Sequence, residues 1–240
     1  MITLGLHRGI GKENSSEAIK RAIDSKKVSF VEFDVLLKNH SLKTGHYYNR
    51  PIDEFDKVID LFVRKKVFPK IDIKINGMNY IEIINKVLEN ISKKELDFVL
   101  VNISGYPKFK SLYYVAERYL VEAIYNYKLE KRVKLNIDLG RYKKYYIRPH
   151  LSKIARHVYS ISPEINSNID LVIELCKLYH IKRVMFWFDE KLKDEKLKEK
   201  IIKNAQKIIN ANLELMFDAG LDEYNLINEI LRNENMNENT

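Results

Sequence analysis

The segment SFVEFDVLL, residues 29–37, is rich in β-branched and aromatic side chains and is predicted to form a β-strand. Residues two apart in a strand lie on the same face, so Glu32 and Asp34 share one face. The opposite face carries Val31, Phe33 and Val35. This separation predicts a sheet with one apolar face that packs against helices and a second face that gathers carboxylates.

Two other predicted strands repeat this separation. In KIDIKI, residues 70–75, Asp72 and Lys74 share one face and the isoleucines share the other. In the N-terminal run ITLGLHR, His7 lies on the opposite face from Leu6. Burying unpaired carboxylates would cost several kcal/mol, so polar side chains on three strands indicate a functional site. An ion pair between Asp72 and Lys74 that serves the core alone is the alternative.

Predicted strands and helices alternate about eight times along the 240 residues. The predicted strands are ITLGLHR, SFVEFDVLL, PKIDIKI, DFVLVNI, VKLNIDL, HVYSIS, KRVMFWFD and LELMFDAG, and LVEAIYN is a further candidate. The predicted helices lie in NSSEAIKRAIDSK, IDEFDKVIDLFVRKK, NYIEIINKVLENIS, SLYYVAERY, residues 170–180, EKLKDEKLKEKIIKNAQKII and DEYNLINEILRN. In the third of these helices Ile81, Ile84, Leu88 and Ile91 form the expected apolar face.

This alternation predicts an α/β protein with a (β/α)8 TIM barrel as its single domain, over residues 1–232, followed by a flexible tail at 233–240. A doubly wound open sheet is the alternative. No glycine-rich loop with dinucleotide or phosphate-binding spacing follows a predicted strand, which argues against a nucleotide-binding fold.

The chain is basic, with a formal net charge of +9. Much of that charge lies on lysine-rich helix faces, and no alternation of aromatic and basic residues suggests nucleic-acid binding. Weak association with anionic membrane surfaces is compatible with the charge. The single cysteine, Cys176, is predicted to pack in the core and excludes an intrachain disulfide. No run of about 18 apolar residues predicts a membrane helix, so we expect a soluble protein, and the single cysteine favours a cytoplasmic location.

The polar face predicts a metal centre at the C-terminal ends of the strands, where barrel enzymes carry their sites. Glu32, Asp34 and Asp72 are oxygen ligands of the kind that Mg²⁺ or Ca²⁺ prefers. Lys74 and Arg8 would bind an anion beside the cation, and phosphate is the usual choice. The set indicates metal-assisted chemistry on a phosphoryl group.

Two histidines are candidates for acid–base catalysis. His7 lies at the end of the first predicted strand, and His46 lies in SLKTGHYYNRP, residues 41–51, which we interpret as a βα loop. Imidazoles titrate near neutral pH and can supply a general acid and a general base. His40 falls in a polar turn and is not a candidate.

These features together resemble the glycerophosphodiester phosphodiesterases. The resemblance rests on HRG after the first strand, EN and a serine before the first helix, VEFDV, the histidine in the following loop, and an acid-x-Lys pattern in the third strand. Looser matches are NISGYPKFKSLYYV, VMFWFDE and LELMFDAG, which extend the resemblance over nearly the whole chain outside residues 128–156.

The resemblance implies a barrel that hydrolyses glycerophosphodiesters to glycerol 3-phosphate and an alcohol with a divalent cation, in lipid metabolism. It implies that Glu32, Asp34 and Asp72 hold the metal, that His7 and His46 are catalytic, and that Arg8 and Lys74 bind phosphate. Its supporting residues are Glu13 and Asn14. It also places Trp187 in the seventh strand, either lining the pocket or in the core.

Three residues depart from the family pattern, and one of them is Phe188, which follows Trp187 where the family usually has a threonine. Asp72 stands where the family usually has a glutamate, and Tyr47 follows His46 where the family usually has an aspartate. Two alternatives therefore stay open. One is a phospholipase D-type enzyme that acts on intact lipids, and the other is a non-catalytic barrel that binds phosphorylated ligands.

Overall fold

A computed structural model describes residues 2–105, 111–141, 144–163, 167–187 and 195–220. The strands are β1 (Ile2–His7), β2 (Phe30–Lys38), β3 (Ser41–Thr44), β4 (Phe68–Ile75), β5 (Val99–Gly105), β6 (Val133–Asp138), β7 (Val158–Ser162), β8 (Arg183–Trp187) and β9 (Glu214–Ala219). The helices are α1 (Ser16–Asp24), α2 (Phe55–Ile59), α3 (Tyr80–Ser92), α4 (Ser111–Asn126), α5 (Lys144–Ile154), α6 (Ile169–Leu178) and α7 (Glu195–Asn210). Short 3₁₀ turns occupy Asp60–Phe62, Leu139–Arg141 and Ala155–His157.

Eight parallel strands close into a barrel in the order β1-β9-β8-β7-β6-β5-β4-β2, because β1 also pairs with β2. This closure confirms the predicted TIM barrel and excludes the open sheet. The carboxyl ends of all eight strands therefore meet at one mouth. The predicted last helix and the tail, residues 221–240, lie outside the described residues, as does Phe188 near the end of the predicted seventh strand.

One strand of the structure, β3, was not predicted. Ser41–Thr44, expected to begin a βα loop, instead forms β3, which runs antiparallel to β2 in a hairpin. Asn39 and His40 make the turn with positive φ angles of 49° and 60°. The hairpin brings the chain back to the barrel mouth, and the backbone N–H of Gly45 donates to the carbonyl of Asp34. His46 therefore follows a paired strand and starts from a fixed position.

Two other local predictions were wrong. LVEAIYN, residues 120–126, is the C-terminal part of α4 and not a strand, because its buried residues continue the helical face of the preceding residues. In α3 the side chain of Ile81 is 45% exposed, whereas Tyr80, Ile83 and Val87 are buried. The apolar face of α3 is thus rotated toward Ile83 and Val87, while Ile84, Leu88 and Ile91 are buried as predicted.

The core consists of two layers separated by the barrel wall. Outward-facing side chains of the strands, such as Val31, Phe33 and Ile73, pack with the helices in one large cluster. Inside the barrel, a smaller cluster that we call the apolar plug fills the N-terminal end. It consists of Phe30, Leu100, Met185 and Met216, with Phe68, Phe98 and Tyr159 packed against it.

Gly5 makes room for the apolar plug. A Cβ atom at this position would lie 2.1 Å from the ring of Phe30, so only glycine lets β1 pass the phenylalanine. Above the plug the interior becomes polar, as the alternation in β2 and β4 predicts. Cys176 is buried in α6, in agreement with the prediction that it packs. Within the described residues, no helix has the length and apolar character needed to cross a membrane.

Candidate functional site

The polar side chains inside the barrel come from neighbouring strands in register. His7 pairs with Glu32 between β1 and β2, and Asp34 pairs with Asp72 between β2 and β4. Asp72 in turn pairs with Asn102 of β5. Their side chains share the inward face because the alternate residues of each strand pack outward against helices.

Three carboxylates meet at the mouth of the barrel. Glu32, Asp34 and Asp72 each place one oxygen within 4.8 Å of the other two. All three residues are at most 5% exposed. A second group with the same separation consists of His7, Glu32 and Asp218, so that Glu32 belongs to both.

Lys74 lies between two of the carboxylates. Its Nζ atom is 2.8 Å from Oδ1 of Asp34 and 2.6 Å from Oδ2 of Asp72. Burial raises the pKa of Asp34, but the charge of Lys74 and a contact with His46 outweigh burial and lower the pKa. Asp34 is therefore ionised at neutral pH despite its burial.

A second lysine, Lys70, lies deeper in the barrel and was not among the predicted site residues. Its ammonium group binds the carboxylates of both Glu32 and Asp218, and all three side chains are at most 3% exposed. Burial lowers the pKa of Lys70, but Asp218 and Glu32 outweigh burial and raise the pKa above its usual value. This buried ion pair network holds Glu32 from below.

Arg8 connects the first strand to the loop after the hairpin. Its Nε atom lies 2.9 Å from Oδ2 of Asp34, and its Nη1 donates to Oε2 of Glu13 at 3.0 Å. Its Nη2 lies 2.8 Å from Nδ1 of His46. The same Nδ1 of His46 lies 3.3 Å from Oδ2 of Asp34. Arg8 and His46 thus meet over one carboxylate.

Asn14 anchors that carboxylate. Its side-chain amide donates to Oδ2 of Asp34 at 2.9 Å, and its Oδ1 accepts the backbone N–H of Asp34 at 2.7 Å. The hydroxyl of Thr44 donates to the carbonyl of Asn14 at 2.7 Å. Asn14 adopts a φ of 60°, a conformation that asparagine tolerates better than most residues. It is buried and supports the site without facing solvent.

His7 lies on the other side of the mouth, beside Trp187. Its Nδ1 is 2.9 Å from Oε1 of Glu32 and 3.7 Å from Oδ1 of Asp218. Burial lowers the pKa of His7, but Glu32 and Asp218 outweigh burial and raise the pKa to about 10. His7 is therefore an imidazolium at neutral pH in this arrangement. The Trp187 ring meets His7 edge to face at 5.8 Å and is 42% exposed, so the tryptophan lines the mouth rather than the core.

The three carboxylates of Glu32, Asp34 and Asp72 fit a hard divalent cation. Three oxygen donors on rigid strands are the ligand type that Mg²⁺ and Ca²⁺ prefer. Among the described residues, the buried Oδ1 of Asp34 accepts no well-oriented hydrogen bond, although Lys74 lies beside it. This oxygen could therefore serve as a ligand atom, once Lys74 has moved to bind an anion beside the cation.

The structure brings together every candidate site residue that the sequence analysis named. It also adds four polar residues to the site. The added residues are Lys70, Asn102, Ser104 and Asp218. Lys70 shares the alternation of Asp72 and Lys74 and could have been found by extending that pattern by two residues. Asp218 stands two residues after Met216 in the last strand, but an isolated aspartate there gives no signal without its partners.

Comparison with solved structures shows the same fold in phosphodiesterases. A phosphodiesterase from Oleispira antarctica, in complex with the product sn-glycerol-3-phosphate, is 15% identical with a TM-score of 0.63, over 94% of this chain and 96% of that chain. A glycerophosphoryl diester phosphodiesterase from Parabacteroides distasonis is 16% identical with a TM-score of 0.59, over 95% of this chain and 86% of that chain.

Barrels of other enzyme classes are also similar. An N-acetylneuraminate lyase from Mycoplasma synoviae is 11% identical with a TM-score of 0.51, over 90% of this chain and 68% of that chain. No family profile and no curated protein sequence matches the chain. At such low identities the likeness establishes the barrel fold, and the chemistry has to be argued from the side chains.

Proposed function

We propose that the protein hydrolyses glycerophosphodiesters to glycerol 3-phosphate and an alcohol, with a divalent cation, Mg²⁺ or Ca²⁺. The observation that carries this proposal is the meeting of Glu32, Asp34 and Asp72 within 4.8 Å at the barrel mouth. Two histidines and the basic side chains of Arg8, Lys70 and Lys74 surround these carboxylates. The two structural neighbours described as phosphodiesterases support the same reaction class.

Glu32, Asp34 and Asp72 would hold the cation. A bound divalent cation would supply Lewis-acid stabilisation of the negative charge on phosphate oxygens. Asn14 keeps Asp34 in place through two hydrogen bonds, and Lys70 keeps Glu32 in place. The ligand positions are thus set by the surrounding chain, which limits the rearrangement needed on binding.

Arg8 and Lys74 would bind the remaining phosphate oxygens. Both side chains form ion pairs with Asp34 in this structure, so they lie beside the carboxylates that would hold the cation. Their positive charges would stabilise the charge that develops on phosphate oxygens in the transition state. The contact of Arg8 with Glu13 orients the guanidinium from the solvent side.

His7 and His46 would each carry out one of the two proton transfers of the reaction. His7, whose pKa is raised to about 10, is suited to donate a proton to the leaving alcohol oxygen as the phosphorus–oxygen bond breaks. His46, with Nδ1 directed to Asp34, leaves Nε2 to take a proton from the attacking hydroxyl, of water or of the substrate. Tyr47 meets the His46 ring edge to face at 4.6 Å and limits its rotation where the family has an aspartate.

Turnover with and without metal tests the proposal. Purified protein is assayed on a panel of glycerophosphodiesters and on bis-p-nitrophenyl phosphate, with Mg²⁺, Mn²⁺, Ca²⁺ or a chelator. We expect diester hydrolysis that the chelator abolishes and that Asp72→Asn reduces. Asp170→Asn, which changes an exposed carboxylate paired with Lys207, is the matched control and should keep full activity. Metal binding without hydrolysis of any diester would instead favour a non-catalytic phosphate-binding barrel.

A second candidate, hydrolysis of intact lipids, is favoured by exposed apolar side chains at the mouth. Tyr47, Met78 and Trp187 are 57%, 70% and 42% exposed. Met78 follows β4 and Trp187 ends β8 at the carboxyl edge of the barrel, and Tyr47 packs against His46 at the same mouth. Such side chains could contact acyl chains, and the basic surface would favour anionic lipids.

Flotation with vesicles distinguishes the two substrates. If lipids are the substrate, the protein floats with mixed anionic and zwitterionic vesicles, and Met78→Ser reduces the floated fraction. Leu178→Ser is the control because Leu178 is 53% exposed at the far end of α6, away from the mouth. Absence of flotation, together with hydrolysis of water-soluble diesters, would leave the glycerophosphodiesterase as the remaining enzyme.

A further inference from the structure

The inner face of β5 carries two polar side chains that the proposed chemistry does not use. Val99, Val101 and Ile103 face the helices, whereas Leu100, Asn102 and Ser104 face the barrel interior. Leu100 belongs to the apolar plug. Asn102 and Ser104 lie above it and are only 6% and 3% exposed.

Both side chains have a buried polar atom without a hydrogen-bond partner. The Nδ2 of Asn102 donates to Oδ1 of Asp72 at 3.1 Å, and the charge of that carboxylate fixes the amide with its oxygen pointing away. Over the described ranges of the chain, Oδ1 of Asn102 and Oγ of Ser104 have no hydrogen-bond partner. An unsatisfied buried polar group costs about 1–3 kcal/mol, so two on one strand need a reason.

The neighbouring strands show that this wall of the barrel can satisfy its own polar groups. Asn136 of β6 accepts hydrogen bonds from the hydroxyls of Ser160 and Ser162 of β7 at 2.8 and 3.0 Å. The residue types are the same as on β5, an asparagine and serines facing inward. On β5, by contrast, Oδ1 of Asn102 and Oγ of Ser104 have no such partner among the described residues.

The open pair lies beside the groups that would hold the phosphate. Asn102 is in register with Asp72, a proposed metal ligand, and Ser104 is in register with Lys74, a proposed phosphate ligand. Adjacent strands are about 4.8 Å apart, so a group attached to a phosphate on Lys74 can reach β5. The charged groups lie on β1, β2, β4 and β9, and β5 offers uncharged donors and acceptors.

We propose that Asn102 and Ser104 form a subsite for a free hydroxyl of the alcohol that remains esterified to the phosphate after hydrolysis. In this subsite Oδ1 of Asn102 accepts from the hydroxyl, and the Ser104 hydroxyl donates to it or accepts from it. The proposal rests on the proposed function and deepens it, because it selects substrates whose alcohol bears a hydroxyl near the phosphate. Diesters without such a hydroxyl would leave the buried pair unsatisfied and bind less well.

Binding of two small phosphates tests the subsite without turnover. The affinities of sn-glycerol 3-phosphate, which has free hydroxyls, and methyl phosphate, which has none, are measured by titration calorimetry with Mg²⁺ present. The wild-type protein should prefer glycerol 3-phosphate. Ser104→Ala should reduce that preference about three- to tenfold, the loss expected for one neutral hydrogen bond, with little change for methyl phosphate.

Ser162→Ala is the matched control, since it removes an inward-facing hydroxyl that already has a partner. It should lower the unfolding midpoint and leave the preference between the two phosphates unchanged. Ser104→Ala removes an unpartnered hydroxyl and should not lower the midpoint. An unchanged preference in folded Ser104→Ala protein would overturn the subsite alone. Failure of both phosphates to bind the wild-type protein would overturn the proposed function and the subsite together.

Discussion

At the scale of single residues, Lys70 and Lys74 each bind two carboxylates inside the barrel. A cluster of charged side chains is costly to bury, but the cost falls when every charge has an opposite partner. The two lysines thereby allow several acids to be close together above the apolar plug. Removing one lysine leaves buried carboxylates facing each other.

We predict that Lys70→Met destabilises the protein by about 3–5 kcal/mol, the usual effect of breaking a buried ion pair from one side. Glu32 and Asp218 then lose their shared partner. The free energy of unfolding is measured with urea. Lys93→Met is the control, because Lys93 forms an exposed i,i+4 pair with Glu89 and its loss should change the free energy of unfolding far less. Equal effects of the two variants would show that the Lys70 network contributes little.

The two histidines of the hairpin differ in their surroundings, and this difference leads to a second prediction. His46→Ala should lower turnover of a glycerophosphodiester by about 10²–10⁴-fold, the range expected for loss of a general base. His40→Ala should leave turnover unchanged, because His40 lies in the exposed turn and contacts Glu82 on the surface. Initial rates at saturating substrate measure both. Similar rates in the two variants would remove His46 from the mechanism.

At the scale of elements, the last residue of β5, Gly105, lies directly against Ile75, the last residue of β4. Gly105 has a φ of 109°, and a Cβ atom there would lie 2.2 Å from the carbonyl oxygen of Ile75. This backbone approach allows Ser104 to stand directly beside Lys74. It is a contact between the ends of two strands rather than between side chains.

Gly105→Ala should therefore destabilise the protein about 1–3 kcal/mol more than Gly77→Ala, because the added methyl group must push β4 and β5 apart. Gly77 also has a positive φ, 61°, but a Cβ atom there meets nothing within 4 Å. Its substitution measures the cost of a left-handed backbone conformation without a steric clash, about 1–2 kcal/mol. Urea unfolding followed by circular dichroism compares the two, and equal midpoints would show that the strand ends separate freely.

Elements with a clear period were predictable from the sequence, and elements defined by a distant partner were not. The strict alternation in β2 and β4 predicts both their faces and the side chains they deliver to the site. The segment LVEAIYN is apolar enough for a strand, and its position on α4 follows only from what packs around it. The strand β3 is four residues long and reveals itself only by pairing with β2.

At the scale of the whole molecule, the site depends on residues far apart in the sequence. Lys70 and Asp218 are 148 residues apart and meet because the last strand lies beside the first in the closed barrel. Local patterns give Glu32, Asp34 and Asp72 because these alternate within short segments. Asp218, Asn102 and Ser104 gain their meaning only when the closed sheet places them in register.

The buried position of Cys176 predicts that the folded protein resists thiol reagents. Burial raises the pKa of this thiol to about 12, and the thiolate is the reactive form. Reaction with a disulfide reagent should be negligible in buffer and should reach one thiol per chain in urea. A Cys176→Ala, Lys93→Cys double variant, whose thiol is exposed, should react fully while folded. Rapid labelling of the wild-type protein in buffer would show that α6 opens readily.

The apolar plug limits the route by which a substrate would enter the barrel and its products would leave. Because Phe30, Leu100, Met185 and Met216 close the N-terminal end of the barrel, nothing can pass through it. A diester substrate and both of its products would therefore use the same opening, so the products would leave by the route through which the substrate entered. A product that stayed bound to Arg8 and Lys74 would exclude the next substrate molecule, so its accumulation would inhibit the proposed reaction competitively.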